Sequence, residues 1–182
     1  FYPFRSIWVE SARQGHFPFW NPYIKCGLPL FAAGQPGVLY PLSLLYFILP
    51  LDLAFNWTII LHFFLAGVFT YMLLVDLGAS IRGGLAAAIA FVFSGYLISV
   101  HNVLNTLISV SWYPLVILCG CRLVRTGKMR WAVATGASTC CMFLGGGVEI
   151  VLFALASLLI LCIQPMVLPT NLSDDTPQLS RR

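Results

Sequence analysis

The chain has 182 residues, 59% of them hydrophobic and only 9% charged, with a mean hydropathy of +0.89 and a formal net charge of +4. Soluble globular domains carry roughly 25% charged residues, so this composition excludes one and predicts an all-α, polytopic integral membrane protein. Basic residues cluster between Arg122 and Arg130 without interleaved aromatics, which argues against nucleic-acid binding.

The first stretch, Phe1 to Gln14, places Phe4, Ile7, Trp8 and Ala12 at helical spacing with Arg5, Glu10 and Arg13 elsewhere, predicting a short amphipathic helix lying flat on the membrane. No basic, apolar leader pattern opens the sequence, and its first residues look like the middle of a protein; a fragment of a longer chain is expected. Between Gly15 and Pro41 come Pro18, Pro22, Pro29, Pro36 and Pro41, with glycines, aromatics and one lysine. Proline removes backbone donors and glycine adds backbone freedom, so no spanning helix forms here. An ordered loop at the membrane surface is predicted, with Trp20, Tyr23 and Tyr40 suited to the headgroup layer. Pro41 to Pro50 is apolar but too short to cross.

About five spans follow, near 53–75, 85–100, 106–123, 131–144 and 150–167, the number that the chain's length accommodates at roughly 20 residues each. Three regions result: an external loop with juxtamembrane helices (1–52), a transmembrane bundle (53–167) and a polar linker or disordered tail (168–182). The short loops at 76–84 and 122–130 hold Arg82, Arg122, Arg125, Lys128 and Arg130, whereas the turns HNVLN and GGGVE hold no Lys or Arg. By the positive-inside rule the first set is cytoplasmic, which places the Pro/Gly loop, His101, Asn102, Asn105 and Glu149 outside.

Among residues able to carry chemistry, Glu149 is either a base or cation ligand facing an outward cavity or a solvated acid favoured near a helix start. His101 with Asn102 and Asn105 can hydrogen-bond a phosphate or sugar, or simply cap the chain between spans. Arg5, Arg13 and Lys25 are candidate partners for a lipid phosphate, against ordinary interfacial snorkelling. His62 is expected to be a satisfied interhelical hydrogen bond. Cys119, Cys121, Cys140, Cys141 and Cys162 fall in predicted spans, and Cys26 stands alone in its loop. No C-x-x-C pair or nucleotide-binding motif occurs, so no metal site is assigned.

The strings FPFWNPYIKCGLPLFAAGQPGVLYP, LHFFLAGVFTYMLLVDLG and AFVFSGYLISVHNVLN with SWYPLVIL, in order from about Tyr2 to Leu158, resemble the YfhO-like bacterial membrane proteins of the GT-C glycosyltransferase superfold. The resemblance implies the N-terminal half of a plasma-membrane transferase moving a sugar from a polyprenyl-phosphate carrier to an envelope polymer or lipid on the extracytoplasmic face. It also implies that the first external loop covers the active site, that the usual catalytic Asp lies just before Phe1, and that a divalent cation can assist. His101 matches a recurring family histidine, whereas Gly146, Gly147, Val148 and Glu149 keep the acid of the family's G-H-P-Q or G-H-P-E turn without its His and Pro. The rival expectation is a non-catalytic transporter, lipid-handling or assembly protein with the same outward loop.

Overall fold

The computed structural model describes residues 2–17, 19–23, 26–30 and 37–167. Lys25 and the predicted tail at 168–182 lie outside the described residues. Helix α1 (Tyr2–Arg13) leads into a two-residue strand pair, β1 (Trp20–Asn21) and β2 (Leu28–Pro29), antiparallel with Trp20 opposite Pro29 and Asn21 opposite Leu28. A 3-10 turn (Pro41–Leu44) and the single-turn helix α2 (Leu45–Ile48) carry the chain to α3 (Leu51–Asp76). Then come α4 (Ile81–Val92), α5 (Gly95–Val100), α6 (Leu104–Thr126), α7 (Met129–Leu144) and α8 (Val148–Val167).

Three of these segments, Leu51–Asp76, Ile81–Val100 and Leu104–Thr126, are long and apolar enough to cross a membrane. Helix α7, with 16 residues, spans about 24 Å and falls short of the roughly 30 Å hydrocarbon core on its own. The sequence predicts one unbroken span at 85–100, but Ser94 divides it: its hydroxyl accepts from Leu97 N at 3.3 Å and starts α5 as a new helix.

Large apolar side chains cover the outside of the helices, and the inward stripe of α3 is small and polar. Along α3 the buried positions are Ala54, Thr58, His62, Ala66 and Thr70, one every four residues, whereas Leu53, Trp57, Ile60 and Phe64 are exposed. Small and hydroxyl-bearing residues facing neighbouring helices, with large apolar ones facing out, is how a protein packs inside lipid. Thr58 and Thr70 return their hydroxyl protons to the carbonyls of Ala54 and Ala66, both at 2.7 Å, so the inward stripe leaves neither group unsatisfied. Large apolar side chains also face outward on α8, at Leu152, Phe153, Leu159 and Ile160. A bilayer is the solvent these surfaces fit, and the chain is a membrane protein.

Most of α6 is buried, and it packs against α3, α7 and α8. Glycine makes two of those approaches close. A Cβ at Gly145 would stand 2.5 Å from Ile108 Cγ2, and one at Gly147 2.7 Å from Ser109 Oγ. Ser109 also ties the turn down, accepting from Gly147 N and donating to the Met142 carbonyl, both at 2.9 Å.

The two ends of the bundle differ in charge. At one end Asp76 accepts from Arg122 Nε at 2.7 Å and pairs with Arg125 at 3.3 Å, joining the C-termini of α3 and α6. Arg122 also lies over the Trp131 ring, 4.6 Å from its centroid, which adds the start of α7 to this end. At the other end Gly37 sits between Arg5 and the Leu144 carbonyl, so the N-terminal segment and the α7–α8 turn share one rim. Helix α1 is docked on protein there, not laid only on lipid as its amphipathic spacing predicts. Trp8 and Val9 are buried with Leu30, Tyr46 and Ala54, and Trp8 packs edge-on against Tyr46 and Phe47.

Candidate functional site: a buried cation beneath the N-terminal segment

Arg5 projects from α1 into the interior of this rim and is 1% exposed. Its guanidinium lies over the Tyr46 ring, 4.7 Å from the centroid, and 5.9 Å from that of Phe55. Nε, Nη1 and Nη2 have no hydrogen-bond partner among the described residues, and neither does the Tyr46 hydroxyl. The ion pairs among those residues are made by Asp76, at the opposite end. Before residue 168 the acids are Glu10, Asp52, Asp76 and Glu149, all of them among the described residues, and none pairs with Arg5. Burial pulls the Arg5 pKa below its ordinary value, and neighbouring Tyr46 offsets part of that fall. An unpaired buried charge is costly in any protein, and the π faces recover about 0.5 to 2 kcal/mol of that cost. The arrangement presents donors without an acceptor, which is the complement of an anion.

Beside Arg5 runs a hydrogen-bond chain with one internally consistent direction. The Thr58 carbonyl can only accept, so His62 Nδ1–H donates to it at 2.6 Å, which makes Nε2 the acceptor. The Tyr40 hydroxyl donates to that Nε2 at 2.7 Å and itself accepts from Trp112 Nε1–H at 2.8 Å. Burial raises the Tyr40 pKa above its ordinary value, with the Trp112 hydrogen bond pulling the other way. Tyr40 therefore sits inside the protein, 2% exposed, and not in the headgroup layer that its aromatic character predicts. His62 is satisfied as predicted, though by a residue of the N-terminal segment and a carbonyl of its own helix rather than by another span.

The remaining sequence candidates are distributed around the same rim. Glu149 is exposed in the first turn of α8, where negative charge is favoured, and accepts from Thr106 Oγ1 at 2.9 Å. His101 and Asn102 are exposed in the turn between α5 and α6, with His101 Nδ1 bonded to the Ile98 carbonyl. No hydrogen bond or ion pair among the described residues links His101 to Glu149, or either of them to Arg5. Arg13 is exposed in the last turn of α1 and lines a cavity of about 430 Å³ with Ser6, Glu10, Gln14 and Tyr46. The described residues contain no cluster of three or more His, Cys, Asp or Glu able to hold a metal ion. Their cysteines are all free thiols.

The sequence offers no sign that Tyr46, Tyr40 and Trp112 surround Arg5 and His62, since these positions are up to 107 residues apart. Compared with known protein families, curated proteins and solved structures, the chain finds no match in any of the three.

Proposed function

We propose that the chain is part of a bacterial plasma-membrane transferase of GT-C type, which binds a polyprenyl-phosphate sugar at its extracytoplasmic rim and passes the sugar to an envelope polymer or lipid. One observation carries the binding half of this reading: Arg5 is a buried guanidinium whose donors have no hydrogen-bond or carboxylate partner among the described residues. A lipid phosphate supplies the missing acceptor, and an Arg–phosphate pair is among the stronger hydrogen-bonded contacts available to a protein. The transfer half rests on the resemblance of the W-N-P-Y, G-x-P-L, Q-x-G-V-x-Y-P and F-S-G-Y-L segments.

In this reading about five spans cross the membrane, with the end that carries Arg122, Arg125, Lys128 and Arg130 in the cytoplasm. An external acid deprotonates an acceptor hydroxyl, which attacks the sugar C1, and the phosphate leaves with the bonding electrons. Arg5, aided by Arg13 and Lys25, offsets the charge that develops on the leaving phosphate, a role a divalent cation would share. Glu149 and His101, with Asn102, contact the acceptor.

The test is transfer of labelled sugar from a polyprenyl-phosphate donor by membranes containing the complete protein. Removing one member of a buried charged contact costs about 2 to 5 kcal/mol, so Arg5→Met is expected to lower transfer by roughly 30-fold or more. Unchanged transfer in Arg5→Met, Glu149→Gln and His101→Ala variants that still insert would remove the proposal. A transporter or lipid-handling protein uses the same cation, and is recognised by donor binding in which the sugar–phosphate bond survives.

A further inference from the structure

We infer that the surface formed by α1 and the β1–β2 hairpin is a saccharide-binding groove, with Trp20 as its stacking platform and Glu10 and Gln14 as its hydroxyl-binding groups. Two cavities meet there. One of about 430 Å³ and one of about 240 Å³ share Glu10 and Gln14 as common walls. Trp20, Tyr23 and Ser11 also line the smaller one.

Trp20 is 57% exposed and Tyr23 82% exposed, yet neither position is loosely built. The Trp20 indole lies so close to the Gly27 backbone that a Cβ at Gly27 would collide with Cζ2, Cε2 and Nε1. Gly27 holds φ at +114°, a conformation that side-chain-bearing residues rarely adopt, so the hairpin supports the ring from behind while leaving its surface open. Asn21 Oδ1 accepts from Tyr23 N at 3.0 Å and sets the turn that presents the second ring. A rigid aromatic face beside a carboxylate, a carboxamide and a hydroxyl suits a sugar, whose C–H face stacks on the ring while its hydroxyls meet the polar groups. A purely apolar ligand would leave Glu10 and Gln14 facing it unpaired, and with Glu10 and Arg13 both on the larger cavity the groove has no net charge to select an ion.

Trp20, Glu10 and Gln14 make no contact with Arg5, although Tyr46 and Arg13 border the larger cavity, and occupancy needs no sugar transfer, so failure here would leave the anion-binding reading of Arg5 standing. The experiment is saturation-transfer NMR on the protein in lipid nanodiscs, with maltohexaose and chitohexaose as probes of the neutral hexose and N-acetylhexosamine classes. Saturation is expected to reach ring protons of at least one probe, to vanish in Trp20→Ala and to persist in Trp20→Phe. Affinity is expected to fall roughly tenfold in Glu10→Gln, whose exposed helical position tolerates the change without refolding. The inference is overturned if neither probe is saturated, or if empty nanodiscs, Trp20→Ala and Glu10→Gln all give the same transfer as the unaltered protein. Quenching of Trp20 fluorescence by brominated lipid would also overturn it, since the ring would then lie in the bilayer.

Discussion

Replacing Arg5 by Met keeps the length of the side chain and its packing between Tyr46 and Phe55 while removing the charge. This guanidinium is 1% exposed and has no acceptor among the described residues, so the substitution removes a desolvation cost of several kcal/mol that two ring contacts only partly offset. Exchanges of buried charges for apolar groups of similar size have stabilised other proteins by about 1 to 4 kcal/mol. The expected result here is therefore a gain, of roughly 2 to 4 °C in melting temperature for each kcal/mol in a chain of this size. Ligand response should change in the opposite sense. Farnesyl phosphate, a short isoprenyl phosphate, is expected to raise the melting temperature of the unaltered protein and to leave Arg5→Met where it was. Melting both proteins in nanodiscs with and without the phosphate reads all four states. A variant that melts lower without ligand, or that responds to the phosphate as the unaltered protein does, would refute the idea that Arg5 is a cation awaiting an anion.

Other perturbations test other parts of the structure. Tyr40→Phe leaves His62 Nε2 buried without its partner and removes the acceptor of the half-buried Trp112 Nε1–H, and at about 1 to 3 kcal/mol for the orphaned histidine nitrogen it should lower the melting temperature measurably. Because the folded Tyr40 pKa lies above its unfolded value near 10, its contribution is complete below about pH 10 and is lost as pH rises beyond that. Melting curves taken from pH 9 to 11 should show this alkaline loss in the unaltered protein, and its absence in Tyr40→Phe. Gly147→Ala forces a Cβ to within 2.8 Å of Ser109 Cβ and 3.1 Å of the Asn105 carbonyl, so a loss of about 1 to 3 kcal/mol is expected in chemical denaturation. For orientation, single cysteines at Glu149 and Lys128 in a cysteine-free background should react with an impermeant maleimide from opposite sides, Glu149→Cys in intact cells and Lys128→Cys only after permeabilisation. Labelling of Lys128→Cys but not Glu149→Cys in intact cells would reverse the proposed topology, and labelling of both would refute the opposite placement of the two positions.

Membrane residence was legible in the sequence because hydropathy belongs to each residue singly: apolar side chains summed over some 20 positions identify a lipid-facing helix whatever it packs against. The same holds for the helices at 51–76 and 104–126 and for the gathering of basic residues at one end. Which groups meet is a property of pairs, and there the tertiary structure decided. Arg5 looked like one of several interfacial cations, and only the packing of α1 over Tyr46 and Phe55 makes it a buried one. Tyr40 is an ordinary interfacial aromatic by composition, yet the hydroxyl locks the loop to α3 and α6 because His62 and Trp112 converge on it from 22 and 72 residues away. Long-range convergence of this kind leaves no local period or motif, since each partner satisfies the rules of its own helix and the contact appears only once the helices are brought together.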